Sequence, residues 1–135
     1  MDFQTAVKTC LSNYATFSGR AARPEFWWFV LFGIIAHVLA NTMDHILFGG
    51  TAVHTYARGM SMSMYYHPRF LGSIVWLALL LPNLAVASRR LHDTGKTAWL
   101  LLLALVPVLG WLVLLYFAAQ PGDAGANAFG PPPAA

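Results

Sequence analysis

Charge is what this sequence has least of. Lys and Arg number 8 and Asp and Glu 5 among 135 residues, a charged fraction of 10%. A soluble globular protein carries roughly a quarter. A domain of this size folded in water buries only about two-thirds of its surface, which leaves no room to hide 58% apolar residues. A lipid bilayer is the solvent that suits them. Cysteine is nearly absent as well, and the lone Cys10 excludes an internal disulfide and any cysteine-built metal cluster. There is no glycine-rich phosphate loop, no His-Glu zinc helix and no nucleophile elbow. No catalytic residue, metal site or cofactor is therefore assigned, and an enzyme is not expected. The pI near 9.4 does not point to nucleic acid, because the basic residues do not share an amphipathic face.

What is present is hydrophobic length. A hydrocarbon core of about 30 Å needs roughly 20 apolar helical residues. Three stretches qualify, at about 26–48, 70–88 and 98–119, and they predict an all-α membrane protein forming a single domain. The first begins FWWFVLFGIIAHVLA. A cleaved signal peptide ending at Val38-Leu39-Ala40 is disfavoured, since its basic leader would be overlong. Lys8, Arg20 and Arg23 precede the first span, and Arg89, Arg90 and Lys96 separate the second from the third. Only Arg58 and Arg69 fall on the other side. That asymmetry predicts an amino terminus on the inner side. With three spans the carboxyl terminus is expected on the outer side, as an extended, Gly/Pro-rich tail over 120–135. Ahead of the first span, Phe3, Ala6, Val7, Cys10, Leu11 and Tyr14 recur at helical spacing. They predict an amphipathic helix lying in the headgroup region.

Between the second and third spans stands SRRLHDTGK, residues 88–96, dense in charge where its flanks have none. A tight inner turn accounts for the arginines as interfacial anchors, with Gly95 ending one helix and Thr97 capping the next. It accounts less well for His92 and Asp93. A second cluster, FSGRAARPEFWW at 17–28, faces the same side. Together Arg20, Arg23, Glu25, Arg89, Arg90, His92 and Asp93 predict a partly paired inner-face network with positive charge left over. Such an excess attracts anionic headgroups, by about 1 kcal/mol per basic residue.

These stretches also carry a resemblance. The chain resembles the bacterial domain-of-unknown-function family 805 of small inner-membrane proteins. The matching features are FSGRAARPEFWWFVLF, LAVASRRLHDTGKTAWLLLL, VPVLGW and PGDAGANAFGPPP. They cover most of the chain outside the loop from about Gly49 to Arg69, and the RRLHD run is the most specific. The family tail usually has a charged residue after the asparagine, where this chain has Ala128. The resemblance implies a multipass inner-membrane protein and supplies no activity, cofactor or catalytic residue.

Inside the first span, His37, Asn41, Asp44 and His45 form one helical stripe. Ionisable groups at membrane depth usually face a bundle interior or a wet cavity. Hydrogen bonding between helices, for instance near Asn83, is the simpler expectation, and an ion path the sharper one. In the outer loop, Met60, Met62 and Met64 share a face if extended, with His54 and His67 close by in sequence. Thioethers and imidazoles suit Cu(I), yet an apolar loop anchored by Tyr65 and Tyr66 is preferred. Pro82, Pro107 and Gly110 read as kinks and close helix approaches. Two functions follow. The first is a non-enzymatic membrane interaction module whose charge network binds anionic lipid or a protein partner. The alternative is an ion channel or transporter lined by the His37–His45 stripe, which three spans enclose only as a homo-oligomer.

Overall fold

The computed structural model describes residues 1–66 and 68–134, with the backbone alone for 51–53, 65 and 66. It contains two compact units, one of Met1–Gly33 with Leu79–Ala135 and one of Ile34–Ala78. Two long helices run through both: α2, Arg23–Phe48, and α3, Phe70–Asp93. At 1.5 Å per residue each exceeds the roughly 30 Å of a hydrocarbon core. Only 17% and 28% of their most apolar windows are buried. Apolar side chains this exposed are not those of a soluble core. They suit contact with lipid.

In the first unit, α1, Phe3–Ser12, starts where Asp2 Oδ1 accepts a 2.7 Å bond from the Thr5 amide. That bond satisfies one of the orphan amides of a helix start and lowers the Asp2 pKa. Ala6 and Cys10 are buried, while Phe3 packs edge-on to Trp28 at 5.9 Å. At the other end of the unit, α3 continues through SRRLHD to Asp93. The expected turn over 88–96 is thus mostly helix, and the arginines sit on its last turns, where cations favour the C-terminal dipole. Gly95, at φ 69°, closes a Schellman motif: its amide bonds to His92 O and that of Lys96 to Leu91 O. Thr97 stands at the start of the next helix but makes no side-chain cap bond.

The expected third span is not one helix. Ala98–Leu105 is a 3-10 helix, and α4 begins only at Leu109 and ends at Ala119. Pro107 interrupts the helix because it has no N–H to donate. Val108 then takes φ 65° and ψ −67°, with Leu109 N bonded to Pro107 O at 2.8 Å. That geometry is a γ-turn of the rare positive-φ kind. The chain reverses there. Trp111 Nε1 donates to Ala104 O at 2.9 Å, and Lys96 Nζ lies 4.7 Å from the Phe117 ring centre. Gly110 is required, since a Cβ there would collide with the Leu103 carbonyl. The result is a hairpin whose two ends both return to the end of α3. Eight 3-10 residues and eleven α-helical ones each rise about 16 Å, half a hydrocarbon core.

The tail follows the hairpin back to the end of α3. Asp123 N bonds to Asp93 O at 2.8 Å, and Arg20 binds carbonyls of Asp123 and Gly125.

In the second unit the all-α expectation fails as well. Thr51–Ala57 and Met60–Tyr66 form an antiparallel hairpin, β1 and β2, closed by Arg58 and Gly59 at φ 50° and 79°. Two positive-φ residues make the I′ type of turn that fits the twist of paired strands. Below it, Asp44 of α2 is almost fully buried and accepts from the amides of Leu71 and Gly72, both at 2.8 Å. It caps α3 from another helix, satisfying donors that water cannot reach in a membrane. A Cβ on Gly72 would strike the Asn41 side-chain oxygen. Asp44→Ala should therefore lower stability in detergent by about 1–2 kcal/mol, the cost of a lost cap. An unchanged thermal midpoint would show that the carboxylate is not holding α3.

Candidate functional site

The end of α3 gathers the charged residues that the sequence scatters. Arg20, Glu25, Arg89, Arg90, His92 and Asp93 are all buried. Consecutive positions of one helix point about 100° apart, so Arg89 and Arg90 reach different partners. Arg89 Nη1 donates to Glu25 Oε1 of α2 at 2.6 Å. Arg90 turns to α4, whose last carbonyls it caps: its guanidinium donates to Ala118 O at 2.9 Å and to Gln120 O. It also donates to Ala21 O at 3.1 Å and to Asp93 Oδ2. Asp93 is shared, because its Oδ1 accepts from Arg20 Nε at 2.9 Å. One carboxylate thus bridges two guanidiniums, in the charge-assisted geometry that makes the stronger hydrogen bonds.

His92, the residue an anchor does not need, also has partners. Its ring stacks on Phe129 with centroids 4.0 Å apart, and Nδ1 meets Gly19 O at 3.0 Å. Asn127 Nδ2 donates to His92 O at 2.9 Å and to Asp123 Oδ2 at 2.8 Å. The network is therefore a latch. It ties the 17–25 segment, the end of α3, the end of α4 and the tail into one body. Gly122 makes it possible, as a Cβ there would overlap the Asp93 carboxylate.

Of the expected site residues only Arg23 stays outside. It is exposed, beside Met1, Pro24 and Gly122 at an open groove of about 290 Å³. The tail residues Asp123, Asn127 and Phe129 were missed by the sequence reading. Their signal was turn-forming residues around a single aromatic in an otherwise Gly/Pro-rich segment.

Cys10 closes the network on the α1 side, with Sγ 3.6 Å from Glu25 Oε1. Burial, reinforced by the Glu25 charge, pushes its thiol from the ordinary 9.0 up to about 12. A raised thiol pKa contributes stability that is complete below pH 9 and lost as pH rises towards 12. Because the thiolate is the reactive form, Cys10 should resist maleimide at pH 8 in the folded protein and react after denaturation. Equal labelling in both states would contradict this burial.

The intramembrane stripe is divided between roles. His37 and Asn41 line a groove of about 330 Å³ with Arg69, Ser73 and Trp76. His45 joins Asn41 and Thr42 at a second, of about 390 Å³. Asp44 is occupied by the α3 amides, so the four do not act as a single row. Asn83 donates to Leu79 O of its own helix at 2.8 Å. The methionines separate too. Met60, Met62 and Met64 are exposed on one strand face, while His54 pairs with Ser63 on the other, Nδ1 to Oγ 3.1 Å. The expected placement of His67, and of the Tyr65 and Tyr66 side chains, lies outside the described residues.

Two Escherichia coli K12 proteins align over nearly the whole chain. Inner membrane protein YhaH is 38% identical over 127 residues, covering 91% of each sequence. Inner membrane protein YhaI is 39% identical over 123 residues, covering 91% of this chain and 90% of its own. No solved structure matches. The family model described as a protein of unknown function, DUF805, matches residues 14–131, and the chain belongs to that family.

Proposed function

We propose that this chain is a non-enzymatic interaction module of the bacterial inner membrane whose latch face binds anionic lipid headgroups. In this reading α1 lies at the interface, α2 and α3 cross the bilayer, and the 98–119 hairpin dips in and returns. Lys8, Arg20, Arg23, Arg89, Arg90 and Lys96 then share the cytoplasmic side with both termini, leaving Arg58 and Arg69 outside, as the positive-inside rule favours.

The observation that supports the reading is charge imbalance at the latch. Three buried guanidiniums, Arg20, Arg89 and Arg90, meet two buried carboxylates, Glu25 and Asp93. Asp123 adds a carboxylate at the rim, where Asn127 holds it. Arg23 and Lys96 keep the face positive by two charges. Arg20 and Arg90 are committed to internal acceptors, whereas Arg89 spends only Nη1 on Glu25 and keeps Nε and Nη2 buried without a partner. Arg23 is the exposed cation, so it is the direct headgroup contact and the latch supplies the field behind it.

Binding to nanodiscs of phosphatidylglycerol and of phosphatidylcholine should be compared for the native protein and for Arg23→Gln. A several-fold preference for the anionic lipid is expected, falling with salt and reduced in the variant. Equal retention of both lipids by the native protein would defeat the reading.

A further inference from the structure

Beneath the latch, unit Met1–Gly33 with Leu79–Ala135 holds a pocket of about 280 Å³. Phe26 of α2, Ala87 of α3, Leu101 of the 3-10 helix, and Trp111 and Leu115 of α4 form its wall. Arg90 is its one charged lining residue, and that guanidinium is already spent on Asp93 and on carbonyls of Ala21, Ala118 and Gln120. The pocket is a partly open apolar groove, with Trp111 half exposed at its wall, so an apolar molecule can enter it from the surroundings.

The walls cannot simply close. Trp111 is tied to Ala104 O, Gly110 lies against the Leu103 carbonyl, and Arg90 fixes the end of α4 to α3. The hairpin arms are thus held apart from α3 at a set spacing. Its residues belong to the segments most apolar in the chain, so the surrounding solvent is hydrocarbon. We propose that this pocket seats one acyl chain of the anionic phospholipid. The positive charge at the pocket itself is that of Arg90, and in this proposal Lys96, stacked on Phe117 next in the chain to pocket-lining Ala118, adds to it. Among the pocket-lining residues there is no carboxylate to repel an acidic headgroup. The seat rests on the headgroup reading above for the lipid's charge, but not for the chain.

Trp111 reports on the seat directly. The full-length protein in detergent is titrated with phosphatidylglycerol carrying brominated acyl chains, which quench tryptophan on contact. Expected is a saturable component of quenching near one lipid per protein. It should vanish in Trp111→Phe and persist in Trp99→Phe, because Trp111 lines the pocket and Trp99 does not. Filling the pocket with Ala87→Phe, or with Leu115→Trp in the Trp111→Phe background read by lipid retention in mass spectrometry, should reduce the bound lipid several-fold. Quenching that rises linearly in every variant overturns the seat, while the nanodisc preference still judges the headgroup reading. Equal saturable quenching by brominated phosphatidylcholine upholds the seat and defeats the headgroup reading.

Discussion

Asp93→Ala is expected to collapse the fold, at a cost of about 3–5 kcal/mol, as when one partner of a buried ion pair is removed. The carboxylate is buried and bridges Arg20 and Arg90, which are themselves buried. Without it two guanidiniums face each other across the space, held only by neutral carbonyls. Lys96→Ala removes a half-buried cation stacked on Phe117 and should cost about 1 kcal/mol or less. Unfolding in graded denaturing detergent, followed by helical signal, measures both. Similar midpoints for the two variants would mean that the bridge does not hold the latch together.

A reporter joined to the carboxyl terminus should give the same compartment signal as one joined to the amino terminus. The effect is all-or-none. Arg20 near the start of the chain binds carbonyls at Asp123, Gly125 and Gly130. His92 stacks on Phe129. Dual reporters active only in the cytoplasm and only in the periplasm test both ends. Opposite signals from the two termini would restore a third full crossing and break the hairpin assignment.

Much of the architecture was legible from hydrophobic length. Phe26–Phe48 and Phe70–Ser88 were readable as spans, and α2 and α3 extend them by the few charged residues that bond to neighbours. Pairing of Glu25 and Asp93 with arginines also followed, since charge near hydrocarbon needs a partner. The third span misled because apolarity counts residues and not their direction. Pro107 was noted as a kink, but Val108 at positive φ is a backbone choice that its β-branched side chain argues against. Without that reversal, nothing in the tail's composition points to its bonds with Arg20, His92 and Asp93. The hairpin over 51–66 was missed for another reason. Its alternation of Met with Ser and its Arg58-Gly59 turn were visible, yet a loop between spans was judged by ligands instead of by period. The Asp44 cap on α3 is not legible from the stripe, because helical spacing shows which residues share a face and not which amides they meet.

The latch also has a timetable. Arg20 leaves the ribosome 73 residues before Asp93 and 110 before Gly130, the groups that receive its hydrogen bonds. Contacts this distant in sequence form late. Until the tail emerges, Arg20 has the Asp93 carboxylate but lacks the carbonyls of Asp123, Gly125 and Gly130. A chain cut short by even the last dozen residues keeps both long helices and loses the Phe129 lid and the Gly130 carbonyl. The Gly/Pro-rich tail is thus the part of the network that is added last, over partners already in place on α3 and at Arg20.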